Sequence, residues 1–267
     1  MLQFMVTHKD LINRTTTLKG DQLKWFKQGY YIKANKFGYE GIAEVIVAEL
    51  CRNIKDLNFV DYRLCSILNV SDNKQYFGCY SQELKPTGFS FITFDKLLHL
   101  YLSKTEYNSL SKLSGEQLYL MLCECVSKIT KVNLFQYVNN CIALDALILN
   151  EDRHLNNFGV LFSENGVIYP APIFDNGLSL LSDKYDYPMQ VSTNILIRKV
   201  KSLPFSRSFS KQIGYMRNFE PFLIDKDRLF CTLDSFVPLF QQTEYIRAVS
   251  VLKYQLNRYK GVLWYAN

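Results

Sequence analysis

The sequence predicts an α+β fold with two lobes, a small β-rich lobe over about residues 1–87 and a larger, mainly helical lobe over 88–267. Three observations support this prediction. Short aromatic or β-branched runs surround a single helical segment in the first third of the chain. From Phe94 onward, apolar residues recur three and four positions apart, which is the period of an α-helix. A pair of β-rich runs and a polar segment interrupt this helical pattern near its middle.

The small lobe is predicted to contain a hairpin and a helix. The runs Leu23–Phe26 and Tyr30–Ala34 are separated by Gln28-Gly29, which is a turn signal. The following segment has the apolar spacing of one helical face, with Glu44 within it. Two further strands are expected over Phe59–Leu68 and Gln75–Tyr80. No repeat or low-complexity linker follows, so the segment at 85–88 is expected to be only a lobe junction.

The large lobe is predicted to hold a strong helix that ends directly before a polar loop. Residues Leu134–Leu149 place an apolar stripe on one face, and Asn150–Asp152 have the chemistry of a turn. The runs Gly159–Phe162 and Val167–Tyr169 then read as a hairpin, because Asn165-Gly166 between them is a strong hairpin signal.

Composition narrows the classes of function. The chain is 48% hydrophobic and has a formal charge of +6 from 31 basic and 25 acidic residues. This excess is mild and dispersed, so we expect anionic ligands rather than direct nucleic-acid binding. No apolar run has the length of a membrane span or signal peptide. The seven cysteines include no CxxC pair, which favours reduced thiols in a cytoplasmic protein.

Three polar residues have the distribution that phosphoryl transfer requires. Asp152 and Asn157 lie five residues apart after the predicted helix, and Asp175 follows the predicted hairpin. A carboxylate can orient or deprotonate an attacking hydroxyl, and further oxygen ligands can hold Mg²⁺ across nucleotide phosphates. Gly177 is expected to supply the backbone freedom that aims Asp175. Taken singly, these residues also suit ordinary turns and helix caps.

Two segments carry a resemblance to a known family. Residues 150–159, NEDRHLNNFG, resemble the N-x-D-R-H-x-x-N-F loop of HipA-like kinases, relatives of the phosphatidylinositol kinases. Residues 173–177, IFDNG, resemble that family's metal-binding segment. The resemblance implies a bilobal protein-kinase-like fold and ATP- and Mg²⁺-dependent transfer to a Ser or Thr hydroxyl of a protein. It makes Asp152 the catalytic base, Asn157 and Asp175 the metal ligands, and His154 a member of the catalytic loop that contacts the cofactor or hydrogen-bonds within the loop.

The resemblance extends upstream to the expected nucleotide contacts. Lys33 would bind the phosphates, and Glu44 would hold it through an ion pair. Residues 17–24 resemble the family's phosphate-covering loop, although they contain a single glycine; Thr17, Gly20 and Gln22 are the expected contacts. Ser81 and Gln82 would form the adenine hinge. Thr17 stands where the family carries a Ser that can be autophosphorylated.

The same resemblance leaves alternatives open. It suggests a toxin–antitoxin or effector kinase with an antitoxin-like protein partner, and a short form without the extra N-terminal subdomain of larger members. A lipid or small-molecule kinase would share the phosphate chemistry. A catalytically silent binding module is the alternative from another class, although such a module has no chemical need for all four of Asp152, Asn157, Asp175 and Lys33.

Overall fold

The computed structural model describes residues 1–12, 22–236 and 242–267. Its first part contains a five-stranded sheet in the order β1-β4-β5-β3-β2. β1 is parallel to β4, and the other pairs are antiparallel. The sheet curls strongly, since Lys27 on one edge strand donates a 2.6 Å hydrogen bond to the Met5 carbonyl oxygen on the other. The strands are β1 (Leu2–Val6), β2 (Lys24–Lys27), β3 (Tyr30–Ala34), β4 (Arg63–Asn69) and β5 (Lys74–Gln82).

The predicted hairpin is confirmed as β2 and β3. Gln28 and Gly29 both have positive φ, at 51° and 81°, which matches the twist of a tight two-residue turn. Ile32 and Ala34 lie in a small core enclosed by the curled sheet. Side chains alternate along a strand, so Lys33 points to the opposite face.

Helix α1 (Glu40–Arg52) covers that opposite face. It is buried along almost its whole length because it packs on β4 and β5 as well as on helices of the larger region. The Asn35 side-chain oxygen accepts the Gly41 N–H at 2.8 Å and satisfies one of the free donors at the start of the helix. Glu44, on the first half of α1, is 1% exposed.

A second sheet lies beside the larger region. The strands β6 (Phe89–Thr93), β7 (Gly159–Ser163) and β8 (Ile168–Pro170) pair antiparallel in that order. The hairpin predicted at Asn165-Gly166 is confirmed as the connection of β7 and β8, and Gly166 has a φ of 76°.

Helices form most of the rest. The long helix α5 (Phe135–Ile148) is central, and its Leu144, Ala146 and Leu147 have no exposed surface. The main core is built on this helix and on α4 and α9. The elements are α2 (Phe94–Tyr101), α3 (Lys104–Ser111), α4 (Gly115–Thr130), α5 (Phe135–Ile148), α6 (Thr193–Ile197), α7 (Phe209–Tyr215), β9 (Phe222–Ile224), α8 (Lys226–Phe236), α9 (Gln242–Tyr259) and β10 (Trp264–Ala266).

Several expectations from the sequence need correction. The strand predicted from Phe59 begins only at Arg63, because Phe59 instead forms a parallel bridge with Ile173. The edge strand β1 was not predicted, nor was β6. Strands also occur in the last part of the predicted helical lobe, since β10 pairs in parallel with β9.

Two further properties concern membranes and thiols. Within the described ranges, no helix is long and apolar enough to cross a membrane. All seven cysteines are free thiols, and five of them are buried.

Candidate active site

Lys33 lies at the centre of a cluster of charged side chains between the sheet and α1. Its Nζ donates to Glu44 Oε1 at 2.8 Å, to Tyr62 OH at 3.1 Å and to Asp175 Oδ1 at 2.7 Å. The Lys33–Glu44 ion pair expected from the sequence is therefore present. Both members are almost fully buried, whereas the Asp175 side chain is 31% exposed. The cluster thus has one side that opens to solvent.

Lys33 and Asp175 stabilise each other's charged form, whereas burial and the Asp175 carboxylate raise the pKa of Glu44 despite its contact with Lys33. Burial by itself would lower the pKa of Lys33, but the Asp175 and Glu44 carboxylates more than offset this and raise that pKa well above its usual value. Burial would raise the pKa of Asp175, yet Lys24 and Lys33 hold it well below its usual range. Lys24 Nζ lies 3.7 Å from Asp175 Oδ2. Lys33 and Asp175 are consequently both charged at neutral pH.

The loop that carries Asp175 is anchored on both sides. Before it, Ile173 donates its N–H to the Asn58 carbonyl oxygen and accepts from Val60 N, both at 2.9 Å. After it, Asn176 donates its N–H to Glu44 Oε2 at 3.1 Å. Glu44 therefore contacts Lys33 with Oε1 and the main chain of the Asp175 loop with Oε2.

The role expected for Gly177 was wrong. Asp175 itself has the left-handed conformation, with a φ of 59°, and Gly177 is not among the glycines with positive φ. Aspartate tolerates this region better than most residues. Gly177 instead permits close packing against α1, since a Cβ at this position would lie 3.3 Å from Glu40 Cβ and 3.5 Å from Glu44 Cγ. A glycine allows the loop to approach α1.

The loop that carries Asp152 begins where α5 ends, at Leu149 with a φ of 55°. Asn150 donates to Asp145 Oδ1 at 2.8 Å and accepts the Asp152 N–H at 3.2 Å. The Asn157 side-chain amide donates to the Asp152 carbonyl oxygen at 2.9 Å. The five-residue spacing seen in the sequence therefore corresponds to a loop closed by its own first and last residues.

The Arg153 side chain binds both the loop that carries Asp152 and the loop that carries Asp175. It has no exposed surface, and its guanidinium binds the Asp145 carboxylate of α5 at 2.8–3.2 Å. It also donates to the carbonyl oxygens of Asn157 and Phe174 at 3.1 and 2.9 Å, and to Asn176 Oδ1 at 2.6 Å. Burial would lower its pKa, but Asp145 raises it. Arg153 is therefore a cation that orients both candidate catalytic loops.

The sequence patterns indicate no role for Asp145 or Asn176. The signal for Asp145 was its charge within an otherwise apolar helical stretch, because a buried carboxylate requires a partner. Asn176 directly follows Asp175 in the sequence. Its side chain in fact lies 3% exposed beneath the loop.

Part of the expected phosphate loop falls outside the described residues, namely Thr17 and Gly20. Gln22 is described, and its Nε2 donates to the Ala34 carbonyl oxygen at 2.9 Å, so that it attaches the start of β2 to β3. Lys24, two residues later, reaches Asp175 as noted above.

The strand that leads to the expected adenine hinge is longer than predicted. Ser81 and Gln82 do not follow the strand but form its last residues, paired with Tyr31 and Tyr30 of β3. Ser81 is buried. The connection to β6 begins at Glu83, whose N–H is already bonded to the Gly29 carbonyl oxygen. Ser81 and Gln82 thus lie at the end of β5, directly before the linker to β6.

His154 lies half-buried in the loop that carries Asp152. Its Nδ1 is buried and has no hydrogen-bond partner in the described part of the chain. The hydrogen bond expected within the loop is therefore not made by this nitrogen.

A separate group of carboxylates lies next to this loop. Glu151, Asp183 and Asp186 each place one oxygen within 4.8 Å of the others. Tyr187 donates a short hydrogen bond to Glu151. The sequence predicts neither the carboxylate group nor the Tyr187–Glu151 hydrogen bond, because Glu151 and Tyr187 lie 36 positions apart.

Comparison with solved structures identifies the fold. A Helicobacter pylori protein described as the proinflammatory kinase CtkA aligns with a TM-score of 0.58 and 14% identity, over 96% of this chain and 94% of its own. Two further solved structures are more distantly similar. HipA of Shewanella oneidensis MR-1, solved with HipB and operator DNA, has a TM-score of 0.42 and 9% identity over 93% of this chain and 62% of its own. Hydra Fam20, solved with sugar, has a TM-score of 0.35 and 13% identity, over 92% of this chain and 84% of its own.

Sequence comparison adds no family assignment. No model of a protein family matches the chain, and no match was found among curated proteins. The similarity to CtkA, which extends over nearly the whole of both chains, shows that this protein has a kinase-like α+β fold with a curled β-sheet lobe and a helical region, as predicted.

Proposed function

We propose that this protein is an ATP- and Mg²⁺-dependent kinase that transfers the γ-phosphoryl group to a Ser or Thr hydroxyl of a protein. One observation carries the proposal: Lys33 contacts both Glu44 and Asp175 within 3 Å, although Asp175 lies 142 residues further along the chain. A strand lysine, a helix glutamate and a loop aspartate in mutual contact are the arrangement that kinases use around the nucleotide phosphates and metal.

Lys33 would bind the phosphates. Glu44 fixes the position of its ammonium group, because a buried carboxylate at 2.8 Å leaves the long side chain little freedom. The Asp175 carboxylate is partly exposed, and Lys24 lies beside it. Lys24 therefore supplies a second positive charge on the side where polyphosphate would enter.

Asp175 and Asn157 would hold Mg²⁺. The chemistry of these donors suits the ion, since Mg²⁺ prefers carboxylate and other hard oxygen ligands. Asp175 is ionised, as its lowered pKa requires. The amide nitrogen of Asn157 is engaged by the Asp152 carbonyl, which leaves the amide oxygen as the ligand atom. The metal, when bound, would neutralise charge that develops on the phosphates.

Asp152 would orient the acceptor hydroxyl and accept its proton. Its main chain is fixed on both sides, by Asn150 at the N–H and by Asn157 at the carbonyl oxygen. Arg153 holds the same loop to Phe174 and Asn176, next to Asp175. This common support keeps the proposed base and the proposed metal ligand in a constant relation, as in-line transfer requires.

The choice of a protein acceptor, autophosphorylation at Thr17 and an antitoxin-like partner depend on the sequence resemblance. Similarity in fold to CtkA is consistent with a kinase, and it does not select the acceptor.

Radiolabelled ATP tests the proposal directly. The purified protein is incubated with labelled ATP and either a protein extract of the native host or extracted lipids, with and without EDTA. We expect Mg²⁺-dependent label on protein, including the chain itself, and none with Asp152→Asn. Label on lipid alone would identify a lipid kinase, and absence of all label despite ATP binding would identify a silent binding module. Peptide mass spectrometry of the labelled chain then shows whether Thr17 carries phosphate.

A further inference from the structure

The loop before α1 is joined by main-chain hydrogen bonds to the segment that follows Asp175. Gly38 forms an antiparallel bridge with Asp183. Tyr39 donates its N–H to the Ser182 carbonyl oxygen at 3.1 Å, and Lys184 donates its N–H to the Phe37 carbonyl oxygen at 3.0 Å. These contacts join the N-terminal end of α1 to the segment that follows Asp175.

The bridge requires a glycine at position 38. A Cβ there would overlap the Ser182 carbonyl oxygen and lie 2.8 Å from Lys184 Cγ and 3.1 Å from Lys184 N. The first of these neighbours is backbone that is itself hydrogen-bonded to Tyr39. It cannot move away without loss of the bridge.

The bridged loop is rigidly attached to α1. The Glu40 carboxylate accepts the N–H groups of Lys36, Phe37 and Gly38 at 3.0, 2.6 and 3.0 Å. Glu40 is 3% exposed and belongs to the first turn of α1. A displacement at Gly38 is therefore transmitted to the helix.

Two more contacts fix α1 to the same segment. The Tyr39 hydroxyl donates to the Leu180 carbonyl oxygen at 2.9 Å, and Glu44 Oε2 accepts from Asn176 N at 3.1 Å. The contacts at Gly38, Tyr39 and Glu44 lie along the same end of the helix. Together they determine how far Glu44 stands from Lys33.

We propose that Gly38 is a positioning residue for the phosphate-binding lysine: through the Gly38–Asp183 bridge it holds α1, and with it Glu44, against Lys33 and the Asp175 loop. This inference rests on the proposed function. Kinase activity requires the Lys–Glu pair and the metal-binding Asp to be in place together.

A double-mutant cycle tests the inference. Gly38→Ala should lower kcat about tenfold in the wild-type background and less than about twofold in a Glu44→Gln background, because the substitution acts through Glu44. Gly214→Ala is the matched control, since a Cβ at Gly214 meets nothing within 4 Å, and it should leave kcat unchanged. Equal losses from Gly38→Ala in both backgrounds would mean a merely structural role and would overturn the proposal.

Hydrogen exchange provides a readout that does not depend on activity. Amides of residues 39–44 should exchange faster in Gly38→Ala than in wild type or Gly214→Ala, and unchanged exchange would refute the bridge as a constraint on α1. If Gly38→Ala does not fold, Tyr39→Phe removes only the bond to Leu180 and should show the same effects at smaller size. An inactive wild type with normal exchange protection at 39–44 would refute the proposed function and leave the bridge standing as structure alone.

Discussion

Arg153 and Asp145 form an ion pair in the protein interior, with Nη2 2.8 Å from Oδ1 and side chains 1% and 2% exposed. The pair joins α5 to the loop that carries Asp152 and, through the remaining guanidinium bonds, to the loop that carries Asp175. Its strength therefore affects both the stability of the fold and the geometry of the proposed site.

Removal of one partner should be strongly destabilising. Asp145→Ala would leave the Arg153 cation buried without a counter-ion, which costs about 3–5 kcal/mol of unfolding free energy. Urea unfolding followed by circular dichroism measures the change. Glu116→Ala is the matched control, because the Glu116–Arg217 pair is about half exposed and such pairs contribute about 0–1 kcal/mol. Similar losses in the two variants would contradict the central role of Arg153.

Asp152→Asn should lower phosphoryl transfer by a factor of about 10² to 10⁴ and leave Mg·ATP affinity nearly unchanged. The substitution removes the proton acceptor, whereas the phosphate contacts lie on Lys33 and its neighbours. Single-turnover kinetics and calorimetry measure the two quantities separately. A variant that turns over at the wild-type rate would exclude Asp152 from the mechanism.

Lys33→Met and Glu44→Gln should both impair turnover, with the larger loss in Lys33→Met. Lys33 would contact the phosphates itself, whereas Glu44 acts by orienting Lys33 and by accepting the Asn176 N–H. Glu44→Gln keeps the shape of the side chain, so its effect reports the charge. Steady-state rates at saturating ATP provide the measurement. Full activity of Glu44→Gln would show that the ion pair is not required, even if Lys33 is.

Asp175→Ala should weaken Mg²⁺-dependent nucleotide binding, because it deletes an anionic oxygen ligand. ATP binding with EDTA should change far less, or even improve, since Lys24 and Lys33 lose a competing carboxylate. Calorimetry with ATP, with and without Mg²⁺, separates the two effects. The assignment of Asp175 to the metal fails if the Mg·ATP affinity of the variant equals that of wild type.

The stability contributed by Asp175 should depend on pH. Its pKa in the folded protein lies below the ordinary value of 3.8, so its ionised form favours folding at pH values above 3.8. That contribution is lost as the pH falls from 3.8 toward the folded-state pKa. Asp175→Asn should therefore be less stable than wild type at pH 7, because it removes the carboxylate charge that Lys24 and Lys33 stabilise in the folded protein.

Thermal unfolding of the two proteins at pH 7, 5 and 4 and at the lowest pH where both still fold checks this expectation. The difference in Tm should stay nearly constant down to about pH 5 and shrink below pH 4. A difference that is constant down to pH 3, or that grows as the pH falls, would show that Lys24 and Lys33 do not stabilise the ionised carboxylate.

Local patterns in the sequence determined much of the secondary structure and the members of the proposed site. Helical periods predicted α1 and α5, and turn residues predicted the β2–β3 and β7–β8 hairpins, since each pattern reflects interactions between residues close in the chain. Order along the chain and resemblance to a kinase family selected Lys33, Glu44, Asp152, Asn157 and Asp175. Of these, the structure brings Lys33, Glu44 and Asp175 into direct contact, and Asn157 onto the main chain of Asp152.

Only the tertiary structure decided what supports these residues. The Arg153 network, the Gly38–Asp183 bridge and the parallel pairing of β1 with β4 join segments far apart in sequence. Packing of these segments also determines the left-handed backbone conformation of Asp175, for which the sequence suggests Gly177 instead. It likewise determines the burial of Ser81 within β5. No period in the sequence encodes such contacts, because they arise from the curl of the sheet and the approach of α1 to the Asp175 loop, which are set by the packing of the whole core.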